Sequence, residues 1–314
     1  MSALAIAPAE IFAALVDLRA EAAAWQRRMI ESAPDPALGA GALALDQALA
    51  ALVAADADAV LGALLLDDGA PYAEVHPLMV GALCELVARR LALAPSVRLR
   101  LLAAVFSSNL ALVPLQAALA RAGTLDATLD AAVREHPAES HALLRRHGVE
   151  DPLWLAIVRQ HHERPDGSGY PAGLRGAALE PLARLVSLAD IYAAMVLPRE
   201  YRTGIRAQQA VRHLFLARGQ EVDAALAADF IGEIGVFPPG AFVRLVNGET
   251  GVVVRRGSPR RECPVVSSFR SPRGGVYPRP LRRDGAGNPR FGVADVLGRE
   301  RLPHSPATLW AAAG

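Results

Sequence analysis

The stretch HHERPDGSGYP, residues 161–171, joins two adjacent histidines to a loop rich in glycine and proline. Helical periodicity leads up to the histidines, which places them near the end of a predicted helix. Neighbouring side chains on a helix diverge by about 100°, so His161 and His162 can serve one site only if it lies between those directions. That arrangement suits a metal centre. Taken alone, a histidine pair is more often solvent-exposed or capping.

The composition excludes several classes of protein. The chain has 314 residues, enough for two domains, and its hydrophobic fraction of 52% is ample for a large core. A formal net charge of +1 lacks the basic field that a polynucleotide requires, which disfavours DNA as a partner. Only Cys84 and Cys263 occur, which argues against a disulfide framework and favours the cytoplasm. No signal peptide and no membrane insertion are expected, because charged residues interrupt the apolar stretches.

The pattern along the chain predicts an all-α helical bundle domain with an N-terminal helical segment and a small C-terminal β-hairpin or barrel-like module. Residues 1–66 are predicted to form two or three helices, and a dimerising role for them, hence a homodimer, stays open. Residues 67–236 are predicted to form the main helical domain, including separate helices at 126–135 and 138–147. Residues 237–314 are expected to form short strands, with an irregular tail beyond about residue 270.

Three further residues are candidates for the site. Asp190 lies in PLARLVSLADIYAAMV, an otherwise apolar helix, where a carboxylate needs a partner. The alternative is a carboxylate on the solvent side or paired with arginine. His76 and His136 are each followed by proline, which predicts that they lie at helix boundaries with their rings directed inward.

Residues 72–255 resemble the HD-GYP domain throughout, from HPLMVGALCELVARRL to PPGAFVRLVNGETGVVV, and the match over 161–171 is the most specific part. The resemblance implies an HD-type helical bundle. It also implies a metal phosphohydrolase that, where active, opens cyclic di-GMP to linear pGpG or GMP with iron or manganese pairs. The positions that match the family's metal ligands are His76, His136, His161, His162 and Asp190.

The chain departs from the family at the His-Asp pair after which the family is named. Ser107 and Ser108 stand in its place, none of the eight histidines precedes an aspartate, and the chain contains no lysine to follow the pair. Ala193 occupies the position of a further family aspartate. Because serine cannot bridge two metal ions, we expect at most one tightly held divalent ion, on His136, His161 and His162, or none.

Arginines are retained where an anionic ligand would need them, at Arg164, Arg184, Arg199 and Arg202. Salt bridges to the domain's own acids are the alternative. The family also links the loop Gly169-Tyr170-Pro171 to contacts with GGDEF diguanylate cyclases. A tyrosine that covers the metal site is the other interpretation of Tyr170.

Three hypotheses for function remain open at this stage. The favoured one is a degenerate HD-GYP protein of cyclic di-GMP signalling that binds nucleotide or partner proteins with weak or no hydrolysis. The second is an active phosphodiesterase with a reduced, histidine-rich site. The third is a purely structural domain in which the histidines are satisfied by the main chain or by water.

Overall fold

A computed structural model describes residues 6–121, 126–199, 203–257 and 263–311. These residues form eleven α-helices and five strands. The helices are α1 (Pro8–Glu31), α2 (Pro36–Leu66), α3 (Tyr72–Arg90), α4 (Pro95–Ser107), α5 (Gln116–Arg121), α6 (Ala127–Arg146), α7 (Pro152–Gln160), α8 (Pro181–Val196), α9 (Ala207–Ala217), α10 (Ala224–Ile234) and α11 (Pro306–Ala311). The strands are β1 (Phe242–Leu245), β2 (Thr250–Arg255), β3 (Val265–Arg270), β4 (Val276–Asp284) and β5 (Val293–Val296).

The helical part is organised around α2, α3 and α4, which pack on one another and share a core with α1, α7 and α8. Two helices account for the described part of the N-terminal segment, in agreement with the prediction. The second of them bends at Asp56, where the backbone leaves the helical region and the Asp56 carboxylate accepts a hydrogen bond from the Ala59 amide at 3.0 Å. The all-α bundle with a small β module is therefore confirmed, whereas the boundaries at residues 66 and 236 stay predictions.

Two predicted helix boundaries are wrong. The helices expected at 126–135 and 138–147 form the single helix α6, and His136 lies inside it rather than at its end. His76 likewise lies one turn inside α3, because that helix begins at Tyr72. A proline follows each histidine, but loss of one main-chain N–H does not end either helix, since packing compensates for the missing hydrogen bond.

The C-terminal module is a five-stranded antiparallel sheet with the strand order β4-β3-β2-β1-β5. The irregular tail predicted beyond residue 270 is therefore wrong, because β4, β5 and α11 lie there. Arg255 and Arg256 join the sheet to α2 through ion pairs with Asp56 at 2.6 Å and Asp58 at 3.0 Å. The chain then returns to α1 and α2, where Trp310 of α11 is fully buried.

Two segments of the described chain are long and apolar enough to cross a membrane, Pro36–Leu66 and Pro95–Leu115. Half of the most apolar window in each is buried within the protein. This is weak evidence for a span, because core helices have the same length and composition.

Candidate metal centre

The first two histidines of the site lie where α7 ends. His161 directly follows the last helical residue and is buried, whereas His162 is half-buried. The Nδ1 atom of His161 lies 2.8 Å from the carbonyl oxygen of Val158. This oxygen belongs to the last turn, whose carbonyls have no helical partner. Nδ1–H therefore donates to it, and Nε2 of His161 is left as an acceptor.

The third histidine, His136, is oriented by a similar contact in the middle of α6. Its Nδ1 lies 2.6 Å from the carbonyl oxygen of Val133. In a regular helix the amide of residue 137 would bond to this oxygen, but Pro137 has no N–H. The proline thus leaves the oxygen available to the His136 ring, whose Nε2 is left as an acceptor.

The three rings converge on one point. Nε2 of His136 lies 3.2 Å from Nε2 of His161, and one ring nitrogen from each of the three histidines lies within 4.8 Å of the others. Two acceptor nitrogens cannot bond to each other, so a cation between them satisfies both. A tetrahedral ion with nitrogen ligands at about 2.1 Å separates two of those ligands by about 3.4 Å, close to the observed spacing. The donor set therefore fits one divalent transition-metal ion.

The electrostatics of the three rings agree with ligation. Burial and the neighbouring His161 lower the pKa of His136 to about 3. Burial also lowers the pKa of His161, and burial together with His161 holds the pKa of His162 well below its ordinary value. All three imidazoles are therefore neutral near pH 7, which is the form that binds metals.

A separate chain of hydrogen bonds holds His76 and Asp190. Nε2 of His76 lies 2.7 Å from Oδ1 of Asp190, and its Nδ1 lies 2.8 Å from the hydroxyl of Tyr72. Arg199 donates to that hydroxyl at 3.0 Å and lies over the Tyr72 ring. A guanidinium only donates, so the phenol oxygen accepts from Arg199, its hydrogen is available to Nδ1, and Nε2–H points at Asp190. Burial would raise the pKa of Asp190, but the hydrogen bond from His76 outweighs it and holds the pKa below its usual range.

The five predicted ligands thus fall into two groups in the structure: three histidines that meet at one point, and the hydrogen-bonded pair His76 and Asp190. Asp190 approaches the cluster through Oδ2, which lies 4.0 Å from Nδ1 of His162. His76 contacts Asp190 and Tyr72. The sequence interpretation missed Tyr72, although its position four residues before His76 on one helix is a usable signal. That His76 and Asp190 ligate a metal stays a prediction.

The serines that stand at the predicted His-Asp position are buried and bonded to the main chain of their own helix. The Ser107 hydroxyl donates to the carbonyl of Ala103 at 2.7 Å and accepts from the Trp154 indole at 2.7 Å. The Ser108 hydroxyl donates to the carbonyl of Ala104 at 2.7 Å. Packing between α4 and α7 therefore fills this position.

Comparison with known proteins agrees with this arrangement. The family model described as HD domain matches residues 25–226, which include every histidine of the cluster. The chain belongs to the HD domain family. This HD protein is 31% identical over 255 residues to cyclic di-GMP phosphodiesterase PA4108 of Pseudomonas aeruginosa, a match that covers 81% of the chain and 59% of that protein. It is 29% identical to 3'3'-cGAMP-specific phosphodiesterase 3 of Vibrio cholerae, over 47% of the chain and 32% of that protein.

The HD-GYP resemblance is also supported at the level of the fold. The solved structure of Bd1817, a HDG"Y"P protein from Bdellovibrio bacteriovorus, superposes with a TM-score of 0.55 at 19% identity, over 69% of each chain. The HD protein spans about three fifths or less of the length of these curated relatives.

The loop after the histidines is held rigidly beside the cluster of the HD protein. Both carboxylate oxygens of buried Glu163 accept main-chain hydrogen bonds, from Ala172 at 2.6 Å and Leu174 at 2.9 Å. A Cβ atom on Gly169 would lie 2.5 Å from three backbone atoms, so only glycine fits there. The half-buried Tyr170 ring lies 4.8 Å from the His162 ring, centroid to centroid. It therefore covers one side of the cluster. Partner binding by Gly169, Tyr170 and Pro171 stays a prediction.

Three of the four predicted anion-binding arginines lie in the described part of the chain, and each is engaged with a protein group. Arg164 pairs with Glu221 at 3.0 Å and Arg184 with Asp223 at 3.0 Å, which are the intramolecular salt bridges named as the alternative. Arg199 contacts Tyr72. Arg202 lies outside the described residues. Contact of these arginines with a nucleotide stays a prediction.

Proposed function

We propose that the chain is a degenerate HD-GYP domain protein of cyclic di-GMP signalling that binds a cyclic dinucleotide with weak or no hydrolysis. The observation that supports this most strongly concerns Ser107 and Ser108, whose hydroxyls donate hydrogen bonds to main-chain carbonyls of helix α4. Neither offers a charged oxygen to bridge two ions. The similarity to a cyclic di-GMP phosphodiesterase and to a 3'3'-cGAMP-specific phosphodiesterase supports a cyclic dinucleotide as the ligand.

His136, His161 and His162 would hold one divalent ion, iron or manganese, and Asp190 lies at the edge of that group. When bound, such an ion supplies a Lewis acid for a phosphate oxygen. The Arg199-Tyr72-His76 contacts hold Asp190 as a carboxylate, and Tyr170 restricts solvent access to His162. Arg164, Arg184, Arg199 and Arg202 are the proposed phosphate contacts, for which Arg164 and Arg184 must exchange their present acidic partners.

Regulatory interactions form a further part of the proposal. Gly169, Tyr170 and Pro171 are proposed to contact a GGDEF-type diguanylate cyclase, because this loop is rigid and its tyrosine is partly exposed. A cytoplasmic location and a homodimer through the N-terminal helices are proposed with it.

Metal analysis of the purified protein tests the site. We expect at most one equivalent of iron or manganese per chain, lost in His161→Ala. The matched control is His213→Ala, which changes an exposed histidine on α9. Two equivalents of metal per chain would contradict the single-ion site.

Titration with cyclic di-GMP and with 3'3'-cGAMP tests the ligand, and chromatography after incubation with manganese or ferrous iron tests turnover. We expect binding with little linear product. The second candidate function, an active phosphodiesterase with a reduced site, is favoured by the retained histidine cluster and Asp190. Linear product that disappears in His161→Ala but persists in His213→Ala would support this second function. Absence of metal and nucleotide binding would leave the structural hypothesis.

A further inference from the structure

Charge is strongly segregated along this nearly neutral chain. Residues 237–314 contain 13 of the 33 arginines but only 5 of the 32 acidic residues, which gives this module a formal charge of +8. Residues 1–236 carry 20 basic and 27 acidic side chains, a formal charge of −7. Arg255, Arg256 and Arg299 pair with acidic side chains of residues 1–236, which leaves a formal excess of +5 on the module. Asymmetry of this sign between two parts of one chain is typical of a polyanion-binding module. The HD family match ends at residue 226 and does not account for it.

Three loops of the module meet at one end of the sheet, here called the basic tip: residues 246–249, 271–275 and 289–292. The amides of Val246 and Asn247 donate at 2.9 Å to the carbonyls of Gly292 and Arg290. A Cβ atom on Gly248 would lie 3.2 Å from the Cβ atom of Pro272. The tip is therefore a continuous surface held by main-chain hydrogen bonds.

The side chains of the basic tip combine free cations with exposed aliphatic groups. Arg273 and Arg290 are exposed, and neither side chain forms an ion pair or hydrogen bond with another described residue. Val246 is 61% exposed and Val276, which directly follows the second loop, is 47% exposed. The described part of the basic tip therefore presents two exposed valines beside two arginines that have no acidic partner there.

We propose that the basic tip docks on an anionic lipid membrane surface. Arginines near such a surface are attracted to acidic headgroups, and the two valines enter the interfacial region between them. A single-stranded nucleic acid would need exposed aromatic side chains on which bases stack. The described module offers none, since Tyr277 and Phe291 are half-buried beside Glu249 and Arg283, and the other aromatic rings are at least as covered. The protein thus adsorbs at a bilayer without spanning it.

Co-sedimentation of the full chain with vesicles tests this docking. We expect binding to vesicles of phosphatidylcholine mixed with phosphatidylglycerol, none to phosphatidylcholine alone, and release at high salt because surface charges are screened. The double variant Arg273→Glu/Arg290→Glu should reduce the bound fraction by at least about tenfold. Val246→Ser/Val276→Ser should lower the bound fraction at low salt, because it removes the apolar contribution to binding.

The matched control is Arg212→Glu, which reverses the charge of an exposed arginine on α9 and should leave vesicle binding unchanged. Circular dichroism checks that each variant folds. Equal binding to neutral vesicles, no binding to acidic ones, or equal loss in the control would overturn the proposal. Tighter binding of the basic tip to a single-stranded RNA oligonucleotide than to acidic vesicles would overturn it in favour of a nucleic acid.

Discussion

Asp46 is an acidic side chain in an apolar position of α2. It has no exposed surface, and neither carboxylate oxygen has a hydrogen-bond partner among the described residues. Burial raises the pKa of Asp46 well above its ordinary value. The folded state therefore retains a proton that the unfolded chain releases above about pH 4. As the pH rises from there towards the pKa of the folded state, the unfolded state is favoured and stability falls.

Asp46→Asn should therefore raise the free energy of unfolding at pH 8 by about 1–3 kcal/mol, because the amide does not carry the cost of keeping a buried carboxyl protonated at that pH. Near pH 4 the gain should vanish. Urea unfolding across this range measures it. Asp17→Asn, an exposed site on α1, should change stability by less than about 0.5 kcal/mol. Parallel stability profiles for Asp46→Asn and the unchanged protein would contradict the assignment.

The residue types in the sequence predicted which histidines meet in the site, but not the hydrogen bonds that hold the surrounding side chains. The convergence of His136, His161 and His162 follows the resemblance, and the structure brings all three together. The contacts of Tyr72 and Trp154 depend on packing between helices that are distant in sequence, which single residues do not encode. The sequence left salt bridges of Arg164 and Arg184 as an alternative, because their partners Glu221 and Asp223 are distant from them in sequence.

Within helix α6, a proline helps to orient the proposed metal ligand His136. Pro137 leaves the Val133 carbonyl to the His136 ring. In Pro137→Ala the new amide competes for that oxygen, so the His136 ring loses part of its orienting contact. We expect metal affinity to fall by about tenfold to 100-fold, as for other outer-shell contacts. Helix content should not decrease.

Competitive titration with a chelator measures this loss, and Pro77→Ala is the matched control, since it removes the corresponding proline of α3. The contact of His76 is with the Tyr72 hydroxyl rather than with a main-chain oxygen, so the control should retain its metal affinity. Equal affinities in Pro137→Ala and the unchanged protein would rule out an orienting role for the proline.

The same elements explain two failures of the sequence interpretation. Proline after histidine predicts a helix boundary, but packing of the surrounding helix outweighs one lost hydrogen bond. Strands β4 and β5 were not predicted, because prolines, glycines and arginines at 270–300 hide the alternation of a strand. These two strands form because β4 pairs with β3 and β5 pairs with β1.

At the scale of the whole molecule, the C-terminal helix closes the chain on its beginning. Trp310 fits against Gly62 of α2, where a Cβ atom would lie 2.1 Å from the indole ring, and it contacts Phe12 of α1. Gly62→Ala should therefore destabilise the protein by about 1–3 kcal/mol through overpacking, despite the better helix propensity of alanine. Thermal unfolding measures this loss.

Gly232→Ala is the matched control, because a Cβ atom on this glycine of α10 would lie 3.8 Å from an arginine side-chain nitrogen, an ordinary contact. It should stabilise the protein by up to about 1 kcal/mol. Gains at both glycines would show that α11 does not dock on α2. No local pattern could have predicted this docking, because the two residues are far apart in sequence.

The indole of Trp154, which donates a hydrogen bond to Ser107, makes this tryptophan useful as a fluorescent probe. The chain contains three tryptophans: Trp25 on α1, Trp154 on α7 and Trp310 on α11. Of these, only Trp154 lies on α7, the helix that His161 directly follows. A protein that retains this tryptophan alone would carry its own fluorescent reporter for metal binding, with an emission that senses each rearrangement of α7. Its indole would then report on the histidines from Ser107, where the resemblance places the family's His-Asp pair.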